Sequence, residues 1–212
     1  MRIDIWSDVV CPWCYLGERR FRAALAQLPD LEVDVHWRAY ELDPRAPREP
    51  QDLVEVLERK YGPGAYASMT SRLTALGAAE GIDYRFDLTQ RVNTFDAHRL
   101  VAWAASQAHG QEPLVEALFS AYFTEGANVG DPDTLLDLVD RVGGDRVAAG
   151  VVLAGDAYAA AVRDDEALAR ELEVSGVPAF VLAERVMIPG AQDVDTFVRV
   201  IERAVERFTP QS

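Results

Sequence analysis

Apolar and polar residues alternate along the first part of the chain in two short stretches separated by a helical pattern. Ile3 and Ile5 alternate with polar neighbours in residues 2–6, which predicts a short strand that runs into a turn. Apolar residues then recur at helical spacing from Pro12 until Pro29 stops the pattern. Apolar and polar residues alternate again in residues 31–40, which predicts a second strand. The resulting strand–helix–strand unit predicts two parallel strands with a right-handed connection.

The middle of the chain, from about residue 51 to residue 173, has a helical period throughout. Glycines of the kind that cap helix C-termini close several segments. Asp131 and Pro132 are suited to the N-cap and first position of another helix. The segments predicted to be helical are 52–62, 65–81, 94–110, 112–126, 130–144 and about 156–174.

After Gly176 the period returns to two residues. Residues 178–182 and 185–190 predict two strands joined by a tight turn, and residues 193–208 form an amphipathic pattern that predicts a final helix. The fold class is therefore α/β, with a large all-helical segment inserted into a small sheet domain. The predicted boundaries are 1–48 with 174–212 for the sheet domain, and 49–173 for the inserted helical domain.

Composition narrows the possible classes of partner. A chain of 212 residues that is 49% hydrophobic can bury a core without disulfides. Its net charge of -14, from 35 acids against 21 bases, argues against nucleic acid as a partner. No stretch approaches the ~18 uncharged apolar residues of a membrane helix. Acids interrupt the N-terminal residues, unlike a secretory signal, so the protein is predicted to be cytoplasmic and outside membranes.

Cys11 and Cys14 are the only cysteines in the chain, and two residues separate them. A structural disulfide is disfavoured in a reducing cytosol. A zinc site needs further ligands, and His36, His98 and His109 are not spaced as a ligand pair. We therefore predict no metal site and interpret the three histidines as surface or boundary residues.

A redox role explains more features of the cysteine motif than a structural disulfide or a zinc site does. A strand that delivers Cys11 to the start of a helix places its sulfur near unpaired backbone N–H groups and the positive end of the helix dipole, which stabilise a thiolate. Pro12 suits the first helical turn because it has no N–H to satisfy. Trp13 is predicted to be exposed beside the sulfur, where it can contact a bound partner. Cys11 is then the attacking thiol, and Cys14, one turn later, is the resolving thiol.

Other polar and aromatic residues of the middle segment are predicted to be structural. The acidic run 164–166 is interpreted as a solvated helix face. His98 and Arg99 lie on a helix that could border the active groove, but structural roles are favoured for both. The aromatic residues predicted to belong to the core are Trp103, Phe119, Tyr122 and Phe123.

Five motifs, spread over nearly the whole chain, resemble the thioredoxin superfamily. They are "SDVVCPWCYLG" (7–17), "FDAHRL" (95–100), "YFTEG" (122–126), "SGVP" (175–178) and "GAQ" (190–192). More narrowly, the chain resembles DsbA-like thiol–disulfide oxidoreductases of the cytosolic FrnE-like branch. The resemblance implies a thioredoxin-like fold with a helical insertion that forms a lid.

The resemblance also implies roles for Val177 and Pro178. The bond between them would be cis and would lie beside the reactive cysteines, and the Val177 backbone would pair with an extended substrate chain. Together with Pro12 and Trp13, these two residues are the predicted substrate-binding set. Many relatives carry a buried acid at the position of Ile5, so the proton acceptor is open; Asp8 is nearer but is also explained as a turn residue.

Three functions remain open from the sequence. The first is a thiol–disulfide oxidoreductase acting on protein or small thiol substrates, with no cofactor beyond the dithiol and with glutathione as a possible ligand or reductant. The second is a glutathione-dependent isomerase or transferase of an aromatic small molecule; relatives of that kind carry serine at the position of Cys11, which argues against the isomerase. The third is a chaperone-like binding module independent of redox state. The sequence does not determine the net direction, the physiological substrate or the oligomeric state.

Overall fold

The structure is a computed structural model that describes residues 1–208. Residues 209–212, the end of the predicted sheet domain, lie outside the described residues. The elements, in chain order, are β1 (Arg2–Ser7), α1 (Pro12–Ala26), β2 (Asp34–Ala39), β3 (Gln51–Asp52), α2 (Leu53–Tyr61), α3 (Ala65–Ala79), β4 (Gln90–Arg91), α4 (Phe95–Ala104), α5 (Glu112–Phe123), α6 (Pro132–Arg141), α7 (Arg146–Ala154), α8 (Ala159–Glu171), β5 (Ala179–Leu182), β6 (Val186–Pro189) and α9 (Val194–Phe208).

Four of the strands form one mixed sheet in the order β2-β1-β5-β6. β1 and β2 are parallel, with Ile3 opposite Val35 and Ile5 opposite Trp37, which confirms the predicted strand–helix–strand unit. β5 is antiparallel to β1, and β6 is antiparallel to β5. The carboxyl ends of β1 and β2 therefore meet at one edge, where the chain enters α1.

Helices cover both faces of this sheet. Ile3 and Ile5 belong to the main buried cluster together with α1 and α9 side chains, whereas Trp6 belongs to a second cluster with residues of α8 and β5. Trp6 Nε1 donates a hydrogen bond of 2.9 Å to the Asp165 carbonyl of α8. Because successive residues of a strand point to opposite faces, β1 contributes to both clusters.

The helical segment in the middle of the chain is confirmed. The four aromatic residues predicted to be core are all buried. α8 lies within the predicted insertion but packs against β2, so it covers a face of the sheet. The division into two domains at residues 48 and 174 stays a prediction.

One helix, one pair of short strands and one charged residue differ from the sequence-based expectation. The sequence did not predict α7, which Asp145 caps by accepting hydrogen bonds from the N–H groups of Val147 and Ala148. It also did not predict the two-residue pairing of β3 with β4. The expectation of a solvated run at 164–166 is wrong for Asp165, which is buried and accepts hydrogen bonds from Arg38 and from the Ala39 N–H.

Candidate active site

The cysteine motif lies where β1 passes into α1. Cys11 is the N-cap residue, with extended backbone angles of φ -92° and ψ 111°, and Pro12 is at the start of the helix. The Cys11 N–H donates to the Asp8 carbonyl at 3.0 Å, and the Cys14 N–H donates to the Cys11 carbonyl at 3.0 Å. This is the strand–turn–helix geometry that the sequence predicted, and it brings Cys11 and Cys14 onto the same first turn.

The two cysteines are buried free thiols, whereas Trp13, one of the two residues between them, is exposed. Cys11 is 4% exposed and Cys14 is 1% exposed, whereas Trp13 is 36% exposed. Trp13 is therefore at the surface of the motif, and Cys11 is the more exposed of the two cysteines.

Val177 and Pro178 lie beside Cys11, although they are far away in the sequence. The Cys11 thiol donates to the Val177 carbonyl at 3.7 Å. The bond between Val177 and Pro178 is cis. On the other side, the Gly190 N–H donates to the Pro178 carbonyl at 2.8 Å, which anchors this loop to the end of β6.

Gly17 allows this loop to approach α1. A Cβ atom at Gly17 would lie 2.9 Å from Pro178 Cγ, 3.4 Å from Phe180 Cζ and 3.5 Å from Ala191 Cβ. The first of these distances is shorter than ordinary carbon–carbon contact. The glycine that ends the motif "CPWCYLG" is therefore needed for close packing of Pro178 against the helix that carries the cysteines.

Burial disfavours the thiolate form of Cys14. It raises the pKa of Cys14 well above the ordinary value, and the neighbouring Cys11 raises it further. The Ser7 hydroxyl and the Asp8 backbone N–H act in the opposite direction, because each favours the charged sulfur. These surroundings favour the neutral thiol of Cys14.

Tyr84 is a contact of the motif that the sequence did not indicate. Its hydroxyl donates to the Pro12 carbonyl at 2.5 Å, and its ring stacks on Phe86 with 4.9 Å between ring centroids. Burial raises the pKa of Tyr84, and the nearby Cys11 adds to the effect, so the hydroxyl remains a neutral donor. A Cβ atom at Gly77 would lie 2.4 Å from the Tyr84 ring, which explains the glycine in α3. Tyr84 lies between helices in a stretch without a recognisable motif.

Asp8 and His98 form a second buried contact next to the motif. Asp8 is completely buried, and its carboxylate accepts a 2.7 Å hydrogen bond from the Leu42 N–H. His98 Nε2 lies 3.3 Å from the other carboxylate oxygen. Asp8 is therefore more than a turn residue. The prediction that His98 is a surface or boundary residue is wrong, because it is buried against Asp8.

Arg99 has the structural role that was expected of it. The side chain is buried, pairs with Asp96 at 2.8 Å and donates to the Gly155 and Ala157 carbonyls at 2.7 and 2.9 Å. It thereby connects α4 to the chain between α7 and α8, and it does not contact either cysteine.

Two features are absent from residues 1–208. Within that range, no group of three or more His, Cys, Asp or Glu side chains is arranged to hold a metal ion. No helix in the same range combines the length and apolar character needed to cross a membrane. A cleft of about 330 Å³ lies between β2, α4 and α8, and neither cysteine lines it.

Comparison with known proteins gives one family and a consistent fold. The family model described as a DSBA-like thioredoxin domain matches residues 2–202. The uncharacterized protein YwbO of Bacillus subtilis (strain 168) is 28% identical over 203 residues, which cover 95% of this chain and 96% of YwbO.

Solved structures agree with this result. A probable DsbA oxidoreductase from Streptomyces coelicolor superposes with a TM-score of 0.92 at 37% identity, covering 100% of this chain and 93% of that chain. The cytosolic disulfide reductase DsbM from Pseudomonas aeruginosa gives 0.71 at 17% identity, covering 98% of this chain and 100% of its own; its structure with GSH gives 0.69 at 18% identity. The thioredoxin-like fold with a helical insertion is thus confirmed.

Proposed function

This chain belongs to the family of DSBA-like thioredoxin domains, and we propose that it is a thiol–disulfide oxidoreductase whose reacting groups are Cys11 and Cys14. The observation that carries the proposal is the geometry of the first turn of α1. Two free thiols share that turn, and the more accessible one contacts the Val177 carbonyl.

Two exchanges make up the proposed reaction. The Cys11 thiolate attacks one sulfur of a substrate disulfide, so that a Cys11–substrate disulfide forms and the other substrate sulfur leaves as a thiolate that takes a proton. Cys14 then loses its proton and attacks Cys11 Sγ. The Cys11–Cys14 disulfide forms, the mixed disulfide breaks, and the released substrate sulfur is protonated. Two electrons pass from the protein to the substrate, and in the reverse direction the protein is the oxidant.

The surroundings of the dithiol support a role in substrate binding for four residues. The Val177 carbonyl is adjacent to Cys11 Sγ, and we propose that this backbone pairs with an extended substrate chain as an added strand. Pro178 positions that backbone against α1. Trp13 provides an exposed aromatic surface beside the sulfur, and Pro12 fixes the turn on which both cysteines lie.

Small thiols are also proposed substrates or reductants. Glutathione is the thiol we propose first, because DsbM, a protein of the same fold, has a structure with GSH. A cytoplasmic location and membership of the FrnE-like branch stay predictions. The net direction depends on the reduction potential of the Cys11–Cys14 couple in relation to that of its partners.

Insulin reduction by dithiothreitol tests the proposal. Cys11→Ser should abolish the catalysed rate, because no mixed disulfide can form, and Cys14→Ser should form a mixed disulfide that persists. Full activity of Cys11→Ser would contradict the mechanism.

Variants of the two cysteines separate the two alternatives from the proposal. A glutathione-dependent isomerase or transferase should retain turnover of an aromatic substrate without Cys14. A redox-independent binding module should suppress aggregation of an unfolded protein equally well when Cys11 and Cys14 are both alanine. We expect neither result.

A further inference from the structure

Ser7 is the last residue of β1, and its hydroxyl is buried without a partner. Ile3 and Ile5 pack on the sheet face that α1 covers, and strand alternation places the Ser7 side chain on that same face, one step nearer to the cysteines. The residue is 6% exposed. Its Oγ atom has no hydrogen-bond partner among residues 1–208.

A buried hydroxyl without a partner destabilises a fold, because it has lost its hydrogen bonds to water. Cys14 lies in the first turn of α1 and belongs to the same buried cluster as Ile3 and Ile5, so it packs on the face of β1 that carries the Ser7 side chain. The Ser7 hydroxyl also acts to lower the pKa of Cys14, because it favours the thiolate. A neutral thiol is a weak acceptor, whereas a thiolate is negatively charged and accepts strongly. The Ser7 hydroxyl therefore gains a good acceptor only when Cys14 is charged.

We infer that the Ser7 hydroxyl is the hydrogen-bond donor that stabilises the Cys14 thiolate in the resolving exchange. The inference rests on the proposed function. When Cys14 attacks Cys11 Sγ, its proton leaves and the negative charge forms beside Ser7. In the oxidising direction, Cys14 leaves the internal disulfide as a thiolate at the same position. A donor that is unpartnered in the ground state and satisfied in the charged state accelerates the step, because its stabilisation is selective.

Besides Ser7, the Asp8 backbone N–H also favours the Cys14 thiolate, but the Asp8 and Tyr84 side chains next to the motif already have other partners. The Asp8 carboxylate accepts the Leu42 N–H and contacts His98. The Tyr84 hydroxyl donates to the Pro12 carbonyl. Ile5, on the same face of β1 as Ser7, has no polar atom to offer. Ser7 is thus the side chain of this site whose donor is free for Cys14.

Single-turnover release of thionitrobenzoate from the dye dithiobis(nitrobenzoate) separates the two exchanges. Attack by Cys11 releases the first thionitrobenzoate, and attack by Cys14 on the mixed disulfide releases the second. We expect Ser7→Ala to slow the second phase about tenfold, as loss of a hydrogen bond to a charged group predicts. The first phase should be unchanged, and stability should be unchanged or raised, because an unpartnered buried hydroxyl has been removed.

Ile5→Val is the matched control, because it removes one methyl group from the same face of the same strand. A slower second phase in Ile5→Val, equal to that of Ser7→Ala, would overturn the inference, as would a Ser7→Ala second phase within twofold of the wild type. If Ser7→Ala does not fold, Ser7→Thr and Ser7→Val provide an isosteric pair that differs in the hydroxyl alone. The inference requires Thr to be at least fivefold faster than Val in the second phase, and a smaller difference overturns it. Dye release that survives Cys11→Ser would instead refute the proposed function.

Discussion

Glu18 provides a quantitative test of the electrostatics around the helix that carries the cysteines. It lies on α1, is 1% exposed, and has Arg22 at 3.3 Å and Arg19 at 3.8 Å. Burial raises the pKa of Glu18 to about 7 from an ordinary value of 4.5, with the two arginines opposing the shift and Glu116 adding to it. We expect Glu18→Gln, which keeps the shape and removes the charge, to stabilise the protein at alkaline pH.

The sign and the size follow from proton linkage. Between pH 4.5 and 7 the folded state holds the Glu18 proton and the unfolded state releases it, so the free energy of unfolding falls as the pH rises through this window. At about 1.4 kcal/mol for each pKa unit, the charged form of Glu18 destabilises the fold by roughly 3 kcal/mol above pH 7. Below pH 4.5 the carboxyl is neutral in both states and this effect is absent.

Urea unfolding followed by tryptophan fluorescence at pH 4.5 and pH 8 measures the effect. The difference in the free energy of unfolding between Glu18→Gln and the wild type should grow by roughly 3 kcal/mol from the lower to the higher pH. Glu125→Gln is the control, because Glu125 forms an exposed ion pair with Arg141 and such pairs contribute about 1 kcal/mol or less. A difference between Glu18→Gln and the wild type that stays constant or shrinks with pH would refute the reasoning.

The packing of two glycines yields further predictions. Gly17→Ala should destabilise the protein by about 1–3 kcal/mol and slow insulin reduction, because the new methyl group pushes Pro178 away from α1; Gly150→Ala, where the nearest atom would be 4.0 Å away, should do neither, and equal effects on unfolding would contradict the packing argument. Tyr84→Phe should lower the free energy of unfolding, measured in urea, by about 1 kcal/mol, because one hydrogen bond is lost. Gly77→Ala should lower the free energy of unfolding by more than Tyr84→Phe does, because it displaces the whole Tyr84 ring. A smaller effect of Gly77→Ala than of Tyr84→Phe would show that the ring is free to move.

Local signals in the sequence determined the secondary structure around the site. The alternation of Ile3 and Ile5 predicts a strand with one face in the core, and a proline directly after Cys11 predicts the start of a helix there. These two signals are enough to place Cys11 and Cys14 on one turn. Asp131 and Pro132 similarly predict the start of α6, which the structure confirms. All these signals act over a few residues, where chain stereochemistry and backbone hydrogen bonding decide the outcome.

Contacts between distant parts of the chain were decided only by the tertiary structure. His98 reaches Asp8 across ninety residues, and Tyr84 reaches Pro12 across seventy-two. Asp165 looks like part of a solvated run, yet it pairs with Arg38 beneath α8. A helical period states which face of a helix is apolar, but it does not state which strand or loop that face meets. The partners of buried polar groups, including the absence of one for Ser7 among residues 1–208, depend on how the elements pack.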